Sequence, residues 1–325
     1  MNSKKIIYGL SVLFLLLTII MVSCKKKETP APEPTESGQS SSDSRDTQGE
    51  NDAAVNDINS VIGDNGKLHG KSTVPNAYAE MTGTICGLSV DTAGINSGTI
   101  RLNYDGTTCN NRSRTGSIKF TIQDYTQGKR WKNVGCVIKV DFLSYKITRA
   151  SDGKSIMLNG TQYLTNTSGG TWWELLIVKT QTTLVSTLTS SNLAVTFEDN
   201  KTATYNINRK ITYTIPGNII TCRAEGIGTS GGLTNLENFG TTRDGDAFTS
   251  QVTNPIVWNV TCGPGAPVQG EVNIVVASKS FDLRATFGVD RNGNVVTPAP
   301  NQCAFGWKLD WTFNGNARNK IFGYN

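Results

Sequence analysis

The sequence predicts an all-β fold, an antiparallel meander forming a β-sandwich or roll, preceded by a short N-terminal helix and a disordered tether. Three observations carry that expectation. Apolar and polar residues alternate with a period of two in many short segments: Ile100, Leu102 and Tyr104 against Arg101 and Asn103, Ile118, Phe120 and Ile122 against Lys119 and Thr121, Ile138, Val140 and Phe142 against Lys139 and Asp141. That period marks strands with one wet face. Turn pairs separate such segments, among them Asp105-Gly106, Asp152-Gly153, Asn159-Gly160, Asp244-Gly245, Asn292-Gly293 and Asn314-Gly315, which suit tight hairpins because both central residues take positive φ. About a dozen strands or more result, and an open sheet rarely exceeds about ten without curling or splitting.

In chain order, residues 1–23 have the features of a bacterial lipoprotein signal peptide. Lys4 and Lys5 precede an apolar run over residues 6–21, interrupted only by Gly9, Ser11 and Thr18, which is too short for a membrane span of about 20 apolar residues. Ser23 before Cys24 resembles the lipobox at which such chains are cut and acylated. Cys24 is therefore the expected lipidation site, with palmitate among its acyl chains. The lipid bilayer is the first expected partner, since several chains at about 0.8 kcal/mol per buried CH2 hold a protein stably.

Residues 24–50 follow as a tether, because the Pro-, Glu- and Ser-rich run has nothing apolar to offset its ordering entropy. Residues 51–63 form the helix, with Val55, Ile58 and Ile62 on one face and Gly63 at its end. The β-body spans 78–325 as one unit, with two packed subdomains as the alternative.

Charge is divided unevenly. Residues 25–57 hold four basic side chains against eight acids, whereas the chain from residue 58 onward holds 25 basic against 18 acidic. A surplus that small, spread along strands, is no nucleic-acid footprint. Apart from Cys24 there are six cysteines, no C-x-x-C pair and a single histidine, His69. Disulfides rather than zinc are expected in an oxidising compartment. Many pairings are open to six cysteines; strand order favours Cys86–Cys109 and Cys262–Cys303 as local bridges, leaving Cys136–Cys222 as a long-range one.

Residues 98–122, the run Ala224-Glu225-Gly226-Ile227-Gly228-Thr229, and residues 255–262 resemble a group of β-rich surface or periplasmic lipoproteins of Bacteroidetes that carries no assigned activity. The resemblance implies an envelope location, the outer membrane, and an all-β fold. Asp91-Thr92-Ala93 resembles the O-glycosylation pattern of the same bacteria, which makes Thr92 a candidate acceptor.

No catalytic motif stands out. Glu174, Glu198, Glu225 and Glu271 are the carboxylates a glycosidase would pair, His69 sits in a Gly-rich loop, and Asp290-x-Asn292-x-Asn294 is a turn rather than a calcium loop, since no glutamate closes it. No metal or other cofactor is expected. Trp172 and Trp173 are the candidate binding residues, because on a strand they face opposite ways and a wet tryptophan suits a sugar ring or a protein partner. Trp307 and Trp311 share a face with Leu309 and are expected in the core. The resulting expectation is a membrane-anchored envelope lipoprotein with a non-catalytic structural or ligand-binding β-domain and a glycan or envelope protein as partner. A hydrolase acting on glycans or envelope polymers is the alternative.

Overall fold

The computed structural model describes residues 35–64, 68, 85–172, 174–262, 266–299, 302–313 and 316–324. Cys24, His69, Trp173 and the Asn314-Gly315 pair lie outside them. The chain divides into two units, Met1–Gly38 and Gln39–Asn325, and the fold described below is that of the second.

Helix α1 runs Thr35–Asp64, so residues 35–50, expected in the tether, are helical. The reason lies in what its buried stripe is made of. Asp43, Thr47, Glu50 and Asn51 continue toward the N-terminus the stripe formed by Ala54, Ile58, Val61 and Ile62, and all eight are buried. An apolar pattern reveals only the second half of that stripe. A helix so polar is marginal alone, and docking stabilises it.

Sixteen strands build one antiparallel sheet: β1 (Leu88–Asp91), β2 (Thr99–Cys109), β3 (Arg112–Ile122), β4 (Cys136–Arg149), β5 (Ser155–Asn166), β6 (Thr183–Ser190), β7 (Leu193–Phe197), β8 (Thr202–Thr214), β9 (Thr221–Gly226), β10 (Gly228–Ser230), β11 (Leu233–Thr241), β12 (Ala247–Asn259), β13 (Gln269–Val276), β14 (Phe281–Val289), β15 (Gly306–Phe313) and β16 (Asn316–Gly323). The order is a meander from β1 to β16, a roll rather than a two-sheet sandwich. Two positions in it are shared. β6 and β7 lie end to end between β5 and β8, broken where Asn192 takes a φ of 55°. β9 and β11 likewise lie end to end between β8 and β12. Between those two, β10 and the start of β11 form a hairpin turning at Gly231-Gly232. Glycine is required at Gly226, where the chain enters that hairpin, because a Cβ would lie 2.1 Å from the Asn235 carbonyl oxygen.

Two of the expected turns are not turns. Asp105-Gly106 lies inside β2 and Asn159-Gly160 inside β5, each at a register shift with the neighbouring strand. Gly106, with a φ of 89°, serves a bulge in β2 as it would serve a hairpin, and Gly160 lies opposite a bulge in β4 where Ser144 takes a φ of 50°. The β2–β3 hairpin turns instead at Asn110 and Asn111, with φ of 48° and 64°.

The sheet curls, and the face turned toward α1 is its inner face. One core joins Ala54, Ile58 and Ile62 of the helix to Leu102, Phe120, Val140, Leu158, Leu188 and Tyr205, and reaches Phe281 and Leu283 on β14. A smaller cluster, Val252, Ile256 and Val272 with Trp258, Ile274 and Phe287 against it, belongs to β12–β14 and contains no helical residue.

The bridges Cys86–Cys109 and Cys262–Cys303 form as expected. Cys136–Cys222 does not, and both thiols are free. Between β4 and β9 the sheet order places β5, β6 and β8, four steps of about 4.8 Å each, whereas a disulfide needs Cα atoms within about 7 Å. Cys136 faces the core, and burial pushes its thiol up to about 11; burial also pushes Cys222 up to about 11, against the Tyr213 hydrogen bond that lowers it. Both stay protonated and unreactive at neutral pH. Thiol titration of the denatured, unreduced β-domain lacking Cys24 should accordingly find Cys136 and Cys222 alone. The Cys136→Ser/Cys222→Ser variant should keep both bridges, whereas removing either bridge should lower unfolding free energy by about 3 to 4 kcal/mol in urea.

Candidate functional site

Two regions of the inner face carry chemistry, and the first is the seam between α1 and the sheet. Gln39, Ser42, Asp43, Asp46 and Glu50 lie on one side of the helix and line a cleft of about 50 Å³ with Arg112, Arg149, Lys154, Glu198 and Arg243. That volume has room for a few waters rather than a sugar ring. Asp43 accepts two hydrogen bonds from Arg243, from Nε and Nη2 at 2.7 Å each. The remaining Arg243 nitrogen, Nη1, lies 3.3 Å from both Glu198 and Asp199, and its guanidinium sits 3.9 Å over the Phe197 ring. Farther along the helix, Glu50 meets Arg112 at 2.7 Å and Asp52 meets Arg209 at 2.6 Å. Asp57 accepts from both Arg114 and the Tyr104 hydroxyl at 2.7 Å. Glu237 on β11, fully buried, takes hydrogen bonds from Ser250 at 3.0 Å and from Gln48 of the helix at 3.3 Å.

Burial outweighs these partners for the carboxylates. Desolvation raises Asp43, Glu50, Asp57 and Glu237 above their ordinary values. The arginines go the other way: Asp52 and Glu237 hold Arg209 charged although it is buried. The seam is thus an ion-pair network whose acids each face a cation or a donor.

The four glutamates weighed for glycoside hydrolysis lie apart. Glu198 joins the seam. Glu225 is on the outer face with Lys210 and Arg223, and Glu271, also outside, accepts from Thr253. Glu174 sits in a π-helical turn beside Thr171, whose hydroxyl donates to it. Asp290 caps its own turn, accepting from the Asn292 and Asn294 amides at 2.8 and 2.9 Å.

The second region is a succession of aromatic residues on the inner face, farther along the sheet. Trp172, 37% exposed, packs edge-on against Tyr213 with ring centroids 4.6 Å apart. It lies in the link after β5 and not on a strand, so the alternation expected for Trp172 and Trp173 does not apply. Strand register places Tyr213 beside Cys222 and Cys222 beside Trp258, and Trp258 packs on the small cluster that also holds Phe287. Phe287, Trp307 and Phe322 then stand in one cross-strand row over β14, β15 and β16, with centroids 6.2 and 4.4 Å apart and the second pair stacked at 15°. Trp307, Leu309 and Trp311 do share a face, as their spacing implies, but all three are half-buried rather than core. Register is what assembles this row, and no sequence period reveals it.

Thr92 follows β1 in the loop to β2, half-buried, its carbonyl accepting from Ile95. Among the described residues no group of three His, Cys, Asp or Glu side chains is placed to hold a metal ion, and no helix is long and apolar enough to cross a membrane.

Fold and site together define a long antiparallel meander rolled on a polar helix, with an aromatic inner face beyond it. No protein-family model, curated protein or solved structure matches the chain.

The raised carboxylates fix the sign of a pH dependence. At pH values between their ordinary and raised values, the folded state holds protons that the unfolded state has released, so stability falls as pH rises through the raised values. The groups held low act at lower pH: Arg223 lowers Glu225, Arg149 lowers Asp152, and Lys201 lowers Asp244. Their contribution is lost only as pH falls below about 4. Urea midpoints should therefore rise or stay level from pH 7 to about 5 and drop below about pH 4; a steady decline from pH 7 to 5 would show that the seam carboxylates are not raised.

Proposed function

We propose that this chain is an envelope lipoprotein, acylated at Cys24 and held at the outer membrane, whose β-domain binds a ligand rather than catalysing a reaction. The anchoring part rests on the sequence: Lys4 and Lys5, the apolar run and Ser23-Cys24. The binding part rests on one observation. The row Phe287, Trp307 and Phe322 is half-buried on the inner face of strands whose small cluster includes no residue of α1. Apolar area left partly open in that way marks an interaction surface more often than a structural accident. The hydrolase alternative finds no support in Glu174, Glu198, Glu225 and Glu271, which serve separate elements.

Two experiments test the two parts. Cys24→Ser should release the protein from the membrane fraction while the β-domain keeps its melting temperature, and retention in the membrane would contradict lipid anchoring. Binding is read from tryptophan emission during titration with neutral and acidic oligosaccharides. A saturable change, weakened at least about tenfold by Trp307→Ala, is expected if the row is a hot spot. No response to any of them contradicts glycan binding at this face.

A further inference from the structure

We propose that the inner face of β14–β16 takes an acidic saccharide chain, a polymer carrying uronate or comparable anionic groups, an inference that rests on the ligand-binding reading above and narrows it. Register across β15 and β16 sets Trp307 opposite Phe322, Leu309 opposite Lys320 and Trp311 opposite Arg318. Three aromatic rings, one leucine and two cations therefore occupy one face of two adjacent strands. Lys320 places its Nζ 4.9 Å from the centre of the Phe322 ring, and neither Lys320 nor Arg318 has an ion-pair partner among the described residues.

Charge is distributed unequally between the two faces of these strands. Strand alternation puts Asp282 and Asp310 on the outer face, where Lys308 holds Asp310 at 2.8 Å. The inner positions of β13 to β15 are Val272, Ile274 and Val276, then Leu283, Ala285 and Phe287, then Trp307, Leu309 and Trp311. No carboxylate stands among them. A ligand complementary to this face has flat apolar surfaces for the rings and negative charge for the edge. A saccharide ring offers its C–H face to an aromatic side chain, and a carboxylate on the same ring reaches Arg318 as a two-point acceptor.

The cations sit on the edge strand, where charge also discourages pairing with a second copy, and the experiment separates the two roles. The intact protein is titrated with oligogalacturonate, with a neutral glucan oligomer of the same length and with polyglutamate, by calorimetry at low and high salt. The expected result is saturable oligogalacturonate binding that weakens with salt and falls about fivefold for Arg318→Ala and again for Lys320→Ala. Both side chains stand at the sheet edge, so circular dichroism and melting temperature should not change. Equal affinity for the neutral oligomer, untouched by the two substitutions, overturns the acidic ligand while leaving glycan binding in place. Polyglutamate binding as tight as oligogalacturonate overturns a saccharide and points to an acidic protein partner. If the double variant associates into dimers with oligogalacturonate affinity unchanged, the cations serve the edge alone and the inference fails.

Discussion

Asp43 receives two short hydrogen bonds from one guanidinium, that of Arg243, beside a third from Gln39 on its own helix, and the rest of the fold is arranged around contacts of this kind. Going along α1, Glu50, Asp52 and Asp57 meet Arg112, Arg209 and Arg114, arginines that belong to β3 and β8. An ionised group removed from water without a partner costs several kcal/mol, and a buried pair approximately breaks even. The ion pairs thus add little net stability to an arbitrary packing, yet strongly penalise any packing that separates them. Position along the helix, and with it the curl of the sheet, is set by that penalty. Asp43, Glu50, Asp52 and Asp57 belong to the acidic surplus of residues 25–57, and Arg112, Arg114, Arg209 and Arg243 to the basic surplus of the remainder, which is how composition shows this seam.

The sheet meets this constraint unevenly along its length. From β2 to β8 the middle of its inner face packs on Ala54, Ile58 and Ile62, with Ile118, Phe120 and Ile138 at 0% exposure, while Ile211 and Tyr213 at the end of β8 are half-buried. From β12 onward the main core still takes in Phe248, Val276, Phe281 and Leu283, with Leu309 and Trp311 against it, but Val252, Ile256 and Val272 form a separate cluster that contains no helical residue. Phe287, Trp307 and Phe322 stack on one another instead of on the helix. The aromatic row follows from where the helix stops covering the sheet, and the cations of β16 stand at its far edge.

How much of this the sequence shows depends on the range of the interaction. Local alternation at Ile100–Leu102–Tyr104 and Ile118–Phe120–Ile122 gives the strands, and the neighbouring positions of Cys86 and Cys109 in a hairpin give their bridge. The first half of α1 is hidden because Asp43, Thr47 and Glu50 are polar, and the burial of Asp43 and Glu50 depends on Arg243 and Arg112, the first of them 200 residues away. Asp105-Gly106 misleads because the left-handed backbone it favours suits a bulge as well as a turn, and Asn159-Gly160 because it faces a bulge in the neighbouring strand. Cys136 and Cys222 mislead because elimination ignores the strands that separate them. Trp307 and Phe322 become a pair only through the register of β15 on β16, which the sequence does not encode locally.

A double-mutant cycle on Asp43→Asn and Arg243→Gln, followed by urea unfolding at neutral pH, tests the seam most directly. If the helix is positioned by these pairs, each single variant loses stability because it leaves Arg243 only its longer contacts to Glu198 and Asp199, or Asp43 only its bond from Gln39, and the double variant recovers part of the loss, with a coupling of about 1.5 to 3 kcal/mol. Losses that simply add, with a coupling below about 0.5 kcal/mol, would mean that α1 is held by Ile58, Ile62 and their apolar neighbours alone, and that the arginines of the sheet do not set its place.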